Sequence, residues 1–128
     1  MDKVVHFEIP VDNPERAQKF YKDIFGWKID KWEGSMPYWM VRTVEVDEKK
    51  MPKEVGAING GLMQRQQKGE GPVVFVNVKN VDAYVKKIEK AGGKVVVPKM
   101  DVGGMGFYAR IQDTEGNIIG LWQDIKKQ

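Results

Sequence analysis

Hydrophobic and polar positions along this chain follow two different periods, and the periods change in the same order twice. Val4-Val5-His6-Phe7-Glu8-Ile9 alternates at the period of two and reads as a strand, with Val5, Phe7 and Ile9 on one face and Val4, His6 and Glu8 on the other. From Pro14 the period lengthens. Ala17, Phe20, Tyr21 and Ile24 follow the i, i+3, i+4, i+7 stripe of a helix that Asn13 caps, Pro14 opens and Gly26 stops. Three more strand-like runs follow at residues 27–32, 38–46 and 57–63, separated by Gly34-Ser35-Met36-Pro37 and by a charged stretch over 47–54.

Residues 64–71 then contain no large apolar side chain, which marks a solvated connection. Beyond it the order repeats. Val73-Val74-Phe75-Val76-Asn77-Val78 reads as a strand, and Asn80 caps a helix whose stripe is Val81, Tyr84, Val85 and Ile88 and whose end is Gly92-Gly93. Strand-like runs follow at 94–98, 107–112 and 117–123. A shift of 67 residues carries Val11 to Val78, Asn13 to Asn80 and Gly26 to Gly93, while Gly61-Leu62-Met63-Gln64 matches Gly120-Leu121-Trp122-Gln123 at a slightly different offset. The pattern predicts an α+β fold: one domain over 1–128, built of tandem βαβββ modules at 1–64 and 72–128 with a linker at 65–71. Each module would cover one sheet face with its helix. Turning the bare faces together would give a curved sheet cup with the helices outside. A ferredoxin-like domain is the rival, and it expects fewer strands per repeat.

Composition narrows the function classes. The 128 residues suit one core, and a net charge of +3, with basic residues spread among acidic ones as in Asp47-Glu48-Lys49-Lys50, argues against a nucleic-acid face. The pair Lys126-Lys127 comes only at the end. With no cysteine, disulfides, thiolate nucleophiles and cysteine-ligated metals are excluded. Neither a signal-like apolar run nor a membrane-length segment is visible, so a cytoplasmic protein with no membrane partner is the expectation.

The run Val5-His6-Phe7-Glu8-Ile9-Pro10-Val11, followed by Glu15-Arg16-Ala17, Phe20-Tyr21 and Gly26-Trp27, resembles the opening of the vicinal-oxygen-chelate superfamily of glyoxalase I, bleomycin-resistance proteins and extradiol dioxygenases. Asp113-Thr114-Glu115-Gly116-Asn117 leading into Leu121-Trp122-Gln123 is similar to that superfamily's final turn and strand. The resemblance implies a metal-ligand position on the first and last strand of each half. Those positions are His6 and Val73, and Gly61 and Gly120, so His6 is the one retained ligand position and no metal cofactor is expected, a divalent ion being the alternative.

Alternation points to a small-molecule site in the cup. His6 and Glu8 are the candidate acid/base pair, and Asn59, Gly61, Met63, Val73, Phe75, Asn77, Gly120 and Trp122 are candidate ligand contacts. The two glycines are read either as giving space at the floor of the cup or as marking bulges or tight packing, and burial as tuning the pKa values of His6 and Glu8 towards neutrality. The leading expectation is a metal-independent protein that binds a mostly apolar molecule, as bleomycin-resistance members do. Two enzymes are the alternatives: a metal-independent one using His6 and Glu8, and a metal-dependent glyoxalase-type lyase or dioxygenase. A homodimer is the expected assembly.

Overall fold

The computed structural model describes residues 1–125, and the pair Lys126-Lys127 lies outside the described residues. The described chain forms two compact units, one of residues His6–Pro72 and one of Met1–Val5 with residues 73–125. Both are α+β and both follow the βαβββ order.

The His6–Pro72 unit takes strand β1 (Val4–Val11) from His6 onward, helix α1 (Pro14–Phe25), and strands β2 (Lys28–Lys31), β3 (Tyr38–Arg42) and β4 (Gly60–Gln64), laid side by side as β2-β3-β4-β1. Asn13 accepts the Arg16 amide at 3.0 Å, and Gly26, at φ 71, donates its amide to the Lys22 carbonyl and ends the helix in the left-handed conformation. The helix side of the sheet packs Val11, Ile29, Val41 and Leu62 against Phe7, Ile9, Ala17, Tyr21, Trp27 and Trp39. The expected stripe of α1 is only half used: Ala17 and Tyr21 face the core, while Phe20 and Ile24 are 55% and 61% exposed. Trp27 explains this, because it stacks on Tyr21 at 4.9 Å and packs against Phe7, taking the space the end of the stripe would fill.

Several boundaries differ from the sequence expectation for identifiable reasons. Strand β3 stops at Arg42 because the side-chain oxygen of Asn59 takes the amides of Thr43 and Val44 at 2.7 and 3.1 Å. Val46 survives only as an isolated bridge to Pro52. The 65–71 connection is tied down at its start, where Arg65 pairs with Asp12 at 2.9 Å and donates to the Pro10 and Glu70 carbonyls.

The second unit repeats the plan with β5 (Val73–Asn77), α2 (Val81–Lys90), β6 (Lys94–Val102), β7 (Gly106–Gln112) and β8 (Ile118–Asp124), in the order β5-β8-β7-β6. Asn80 caps α2 through the Ala83 amide at 2.9 Å, as Asn13 caps α1. Val78, Val81, Ala109, Ile111 and Leu121 are its core. Met1–Val5 joins this unit, where the Lys3 carbonyl accepts the Asn77 amide and Asp2 accepts the Tyr84 hydroxyl. Strand β6 runs past Pro98 to Val102 because it is an edge strand with irregular register between Val95 and Val97 and between Val97 and Met100, which accommodates a residue lacking an amide. The glycine-rich stretch after it is the β6–β7 turn, with Gly103 and Gly104 both at positive φ.

Candidate functional site

Each unit has a sheet face that its helix does not cover, and of the predicted site residues His6, Glu8, Gly61, Met63, Val73, Phe75 and Gly120 fall on these faces. In the His6–Pro72 unit the register aligns Glu8 with Gly61 and Gly61 with Met40, and Tyr38 with Met63. His6 and Tyr38 meet there through a 2.8 Å hydrogen bond between Nε2 and the hydroxyl. Tyr38 reaches His6 by crossing Gly61: a Cβ built at position 61 would lie 2.0 Å from the Tyr38 hydroxyl oxygen and 2.1 Å from Cζ. Glu8 is buried on the same face, 8% exposed.

The second unit uses the same device. Phe75 aligns with Gly120, and Gly120 with Arg110. A Cβ at 120 would lie 2.3 Å from Cδ2 and Cε2 of Phe75, so this ring also sits on the glycine. The Arg110 guanidinium stands 5.8 Å from the Phe75 and Tyr108 ring centroids, and its Nε donates to the Tyr108 hydroxyl. Arg110 is 5% exposed and Val73 4%. Of the two readings of Gly61 and Gly120, open space is overturned and tight packing holds: aromatic rings lie against both.

The other predicted contacts are placed as follows. Asn59 is committed to the amides after β3, and Met63 is half-buried beside Tyr38. Asn77 and Trp122 both grip Asp124, through Nδ2 and Nε1 at 3.0 Å each. Three further groups on these faces, Tyr38, Tyr108 and Arg110, were not among the residues expected to contact a ligand. A signal existed, since a 70-residue shift carries Tyr38 to Tyr108 and Met40 to Arg110, matching their register positions opposite Met63, Trp122, Gly61 and Gly120.

Electrostatics sets the state of the imidazole. Burial pushes the His6 pKa down from 6.5 to about 4, because removing a cation from water disfavours the charged form. His6 is thus uncharged at physiological pH, and burial moves its pKa away from pH 7 rather than towards it. The unfolded chain binds this proton more readily than the folded one. The stability from His6 is therefore complete above pH 6.5 and declines as pH falls towards about 4. In His6→Gln the stability lost across that window is expected to shrink, measured by urea unfolding inside and above it; an undiminished slope would refute the assignment.

The donor set does not suit a divalent ion. Of the four positions that carry ligands in metal-using members, His6 alone has a donor, Val73 has none, and Gly61 and Gly120 lie under rings. Among the described residues no three His, Asp or Glu side chains gather where an ion could sit. No helix among them is long and apolar enough to cross a membrane.

Comparison with known proteins agrees with this architecture. CFP32 of Mycobacterium tuberculosis, named as a glyoxylase, is 30% identical over 120 residues, which are 91% of this chain and 43% of CFP32, so the chain spans less than half of that relative. A glyoxylase-like domain-containing protein of Didymella fabae is 30% identical over 86% of this chain and 84% of its own length. Among solved structures, methylmalonyl-CoA epimerase of Mycobacterium tuberculosis matches with a TM-score of 0.67 at 15% identity, covering 96% of this chain and 88% of the epimerase. A variant of the Streptomyces coelicolor epimerase in complex with 2-nitronate-propionyl-CoA matches with a TM-score of 0.68 at 15% identity, covering 97% and 98%. The model of the glyoxalase/bleomycin resistance protein/dioxygenase superfamily matches residues 3–121, and the chain belongs to that superfamily.

Proposed function

We propose that this chain binds a mostly apolar small organic molecule through the helix-free faces of its sheets, and that it does so without a resident divalent metal. One observation carries the reading: rings occupy the places beside Gly61 and Gly120 where metal-using members keep ligands, and those rings carry polar handles, His6 on Tyr38 and Arg110 on Tyr108. Aromatic walls with a few fixed polar groups suit an organic ligand. The solved epimerases show that this fold accommodates small molecules, since one of them is complexed with 2-nitronate-propionyl-CoA.

An acid/base enzyme using His6 and Glu8 is the less favoured reading. A base with a pKa of about 4 takes up a proton poorly at neutral pH.

A thermal-shift screen of aromatic and aliphatic compounds tests the proposal. A ligand at a hundred times its Kd adds about 2.7 kcal/mol to stability. Such shifts are expected, with the same size in the presence and absence of EDTA. A library that yields none, or shifts that depend on added metal, would overturn the reading.

A further inference from the structure

The separation of Tyr38 and His6 shows how their rings lie. Their centroids are 6.5 Å apart with planes 13° from parallel, and the 2.8 Å hydrogen bond joins the hydroxyl at the end of one ring to Nε2 at the near end of the other. Most of the separation is thus spanned along the ring planes, so the rings are set end to end in nearly one plane and not face to face. The plate is as long as two rings and rests on Gly61, where the missing Cβ lets Tyr38 lie down.

Trp32 closes one end of the plate. Its amide donates to the Tyr38 carbonyl at 2.8 Å, and its ring meets Tyr38 edge-on at 6.2 Å and 79°. It folds over Gly34, where a Cβ would lie 2.1 Å from Cζ3. Met40, aligned with Gly61 and 44% exposed, adds a polarisable thioether of the kind that favours aromatic partners. Trp32, Tyr38 and His6 are all half-buried, so the row is held in place without being sealed.

We propose that Trp32, Tyr38 and His6 form an aromatic platform that selects a flat, uncharged fused-ring ligand. This deepens the binding reading above and rests on it. Stacking on an extended plate rewards planarity, which a saturated ring system of the same size cannot supply. Lack of charge follows from the platform itself: its three side chains are aromatic, the Tyr38 hydroxyl and His6 Nε2 are already joined to each other, and the acidic Glu8 is buried on that face.

Titration of the full chain by tryptophan fluorescence and calorimetry would use 2-naphthol, its saturated counterpart 2-decalol, and 2-naphthoate. The expected result is 2-naphthol bound about tenfold tighter than either analogue, the scale of one aromatic stacking contact. Trp32→Ala, Tyr38→Ala and Gly61→Ala should each remove that preference, so that 2-naphthol binds no tighter than 2-decalol. If 2-decalol or 2-naphthoate binds as tightly as 2-naphthol, or if Tyr38→Ala keeps the preference, the platform is wrong although the binding reading stands. If all three probes fail while other compounds in the thermal-shift screen bind, the platform is likewise overturned. If nothing binds in either experiment, the binding reading falls as well.

Discussion

Gly120→Ala is expected to destabilise the chain by about 2 kcal/mol, a large effect for one methyl group. The added carbon would stand 2.3 Å from two carbons of the Phe75 ring and 2.6 Å from Cγ. Phe75 is 2% exposed, with Tyr108 at 5.5 Å and the Arg110 guanidinium at 5.8 Å, so the ring has no solvent to swing into. Phe75→Ala alone should cost about 4 kcal/mol through lost burial and the cavity left behind. In the double variant the new methyl occupies part of the vacated volume, so the total should fall short of the sum by about 1 kcal/mol or more. Chemical denaturation of the four proteins gives the cycle. Additivity to within about 0.5 kcal/mol would mean that the ring does not depend on the glycine. Gly61→Ala should behave differently, because its methyl meets the hydroxyl end of a half-buried Tyr38 that can tip outward. Its stability loss should be the smaller one, and its effect should appear in ligand preference.

Leu62→Ala is expected to cost about 3 kcal/mol. Leu62 has no exposed surface and lies among Val11, Ile29 and Val41 in the core beneath α1. Its strand neighbours, Gly61 and Met63, point to the other face, since side chains alternate along β4. Loss of stability should therefore leave ligand preference intact under conditions where the variant stays folded. A Leu62→Ala protein that is folded yet no longer discriminates between ligands would show that the two faces are coupled, contrary to this assignment.

The elements were readable in the sequence because each rests on a local signal: the Asn caps at 13 and 80, the left-handed Gly26, and the period of two in β1 and β5. Where boundaries shifted, a distant side chain decided them. Asn59 ends β3 from sixteen residues beyond Thr43, and no pattern within β3 announces it. The site was half legible. Alternation assigned His6, Glu8, Gly61, Phe75 and Gly120 to the helix-free faces, but it says nothing about the direction in which a side chain leans. Tyr38 leans across β4 to reach His6, and Phe75 folds onto Gly120, so the two glycines are seats for rings. His6 shows the same limit in its chemistry. The strand pattern placed it, but the direction of its pKa depends on how much water the folded chain removes from the ring.

The most direct test is elemental analysis of the purified full chain, combined with titration of a ligand found in the screen before and after EDTA treatment. The expected result is divalent metal far below one equivalent per chain and the same ligand affinity in both states. Near-stoichiometric metal whose removal abolishes binding would contradict a site built from rings seated on Gly61 and Gly120.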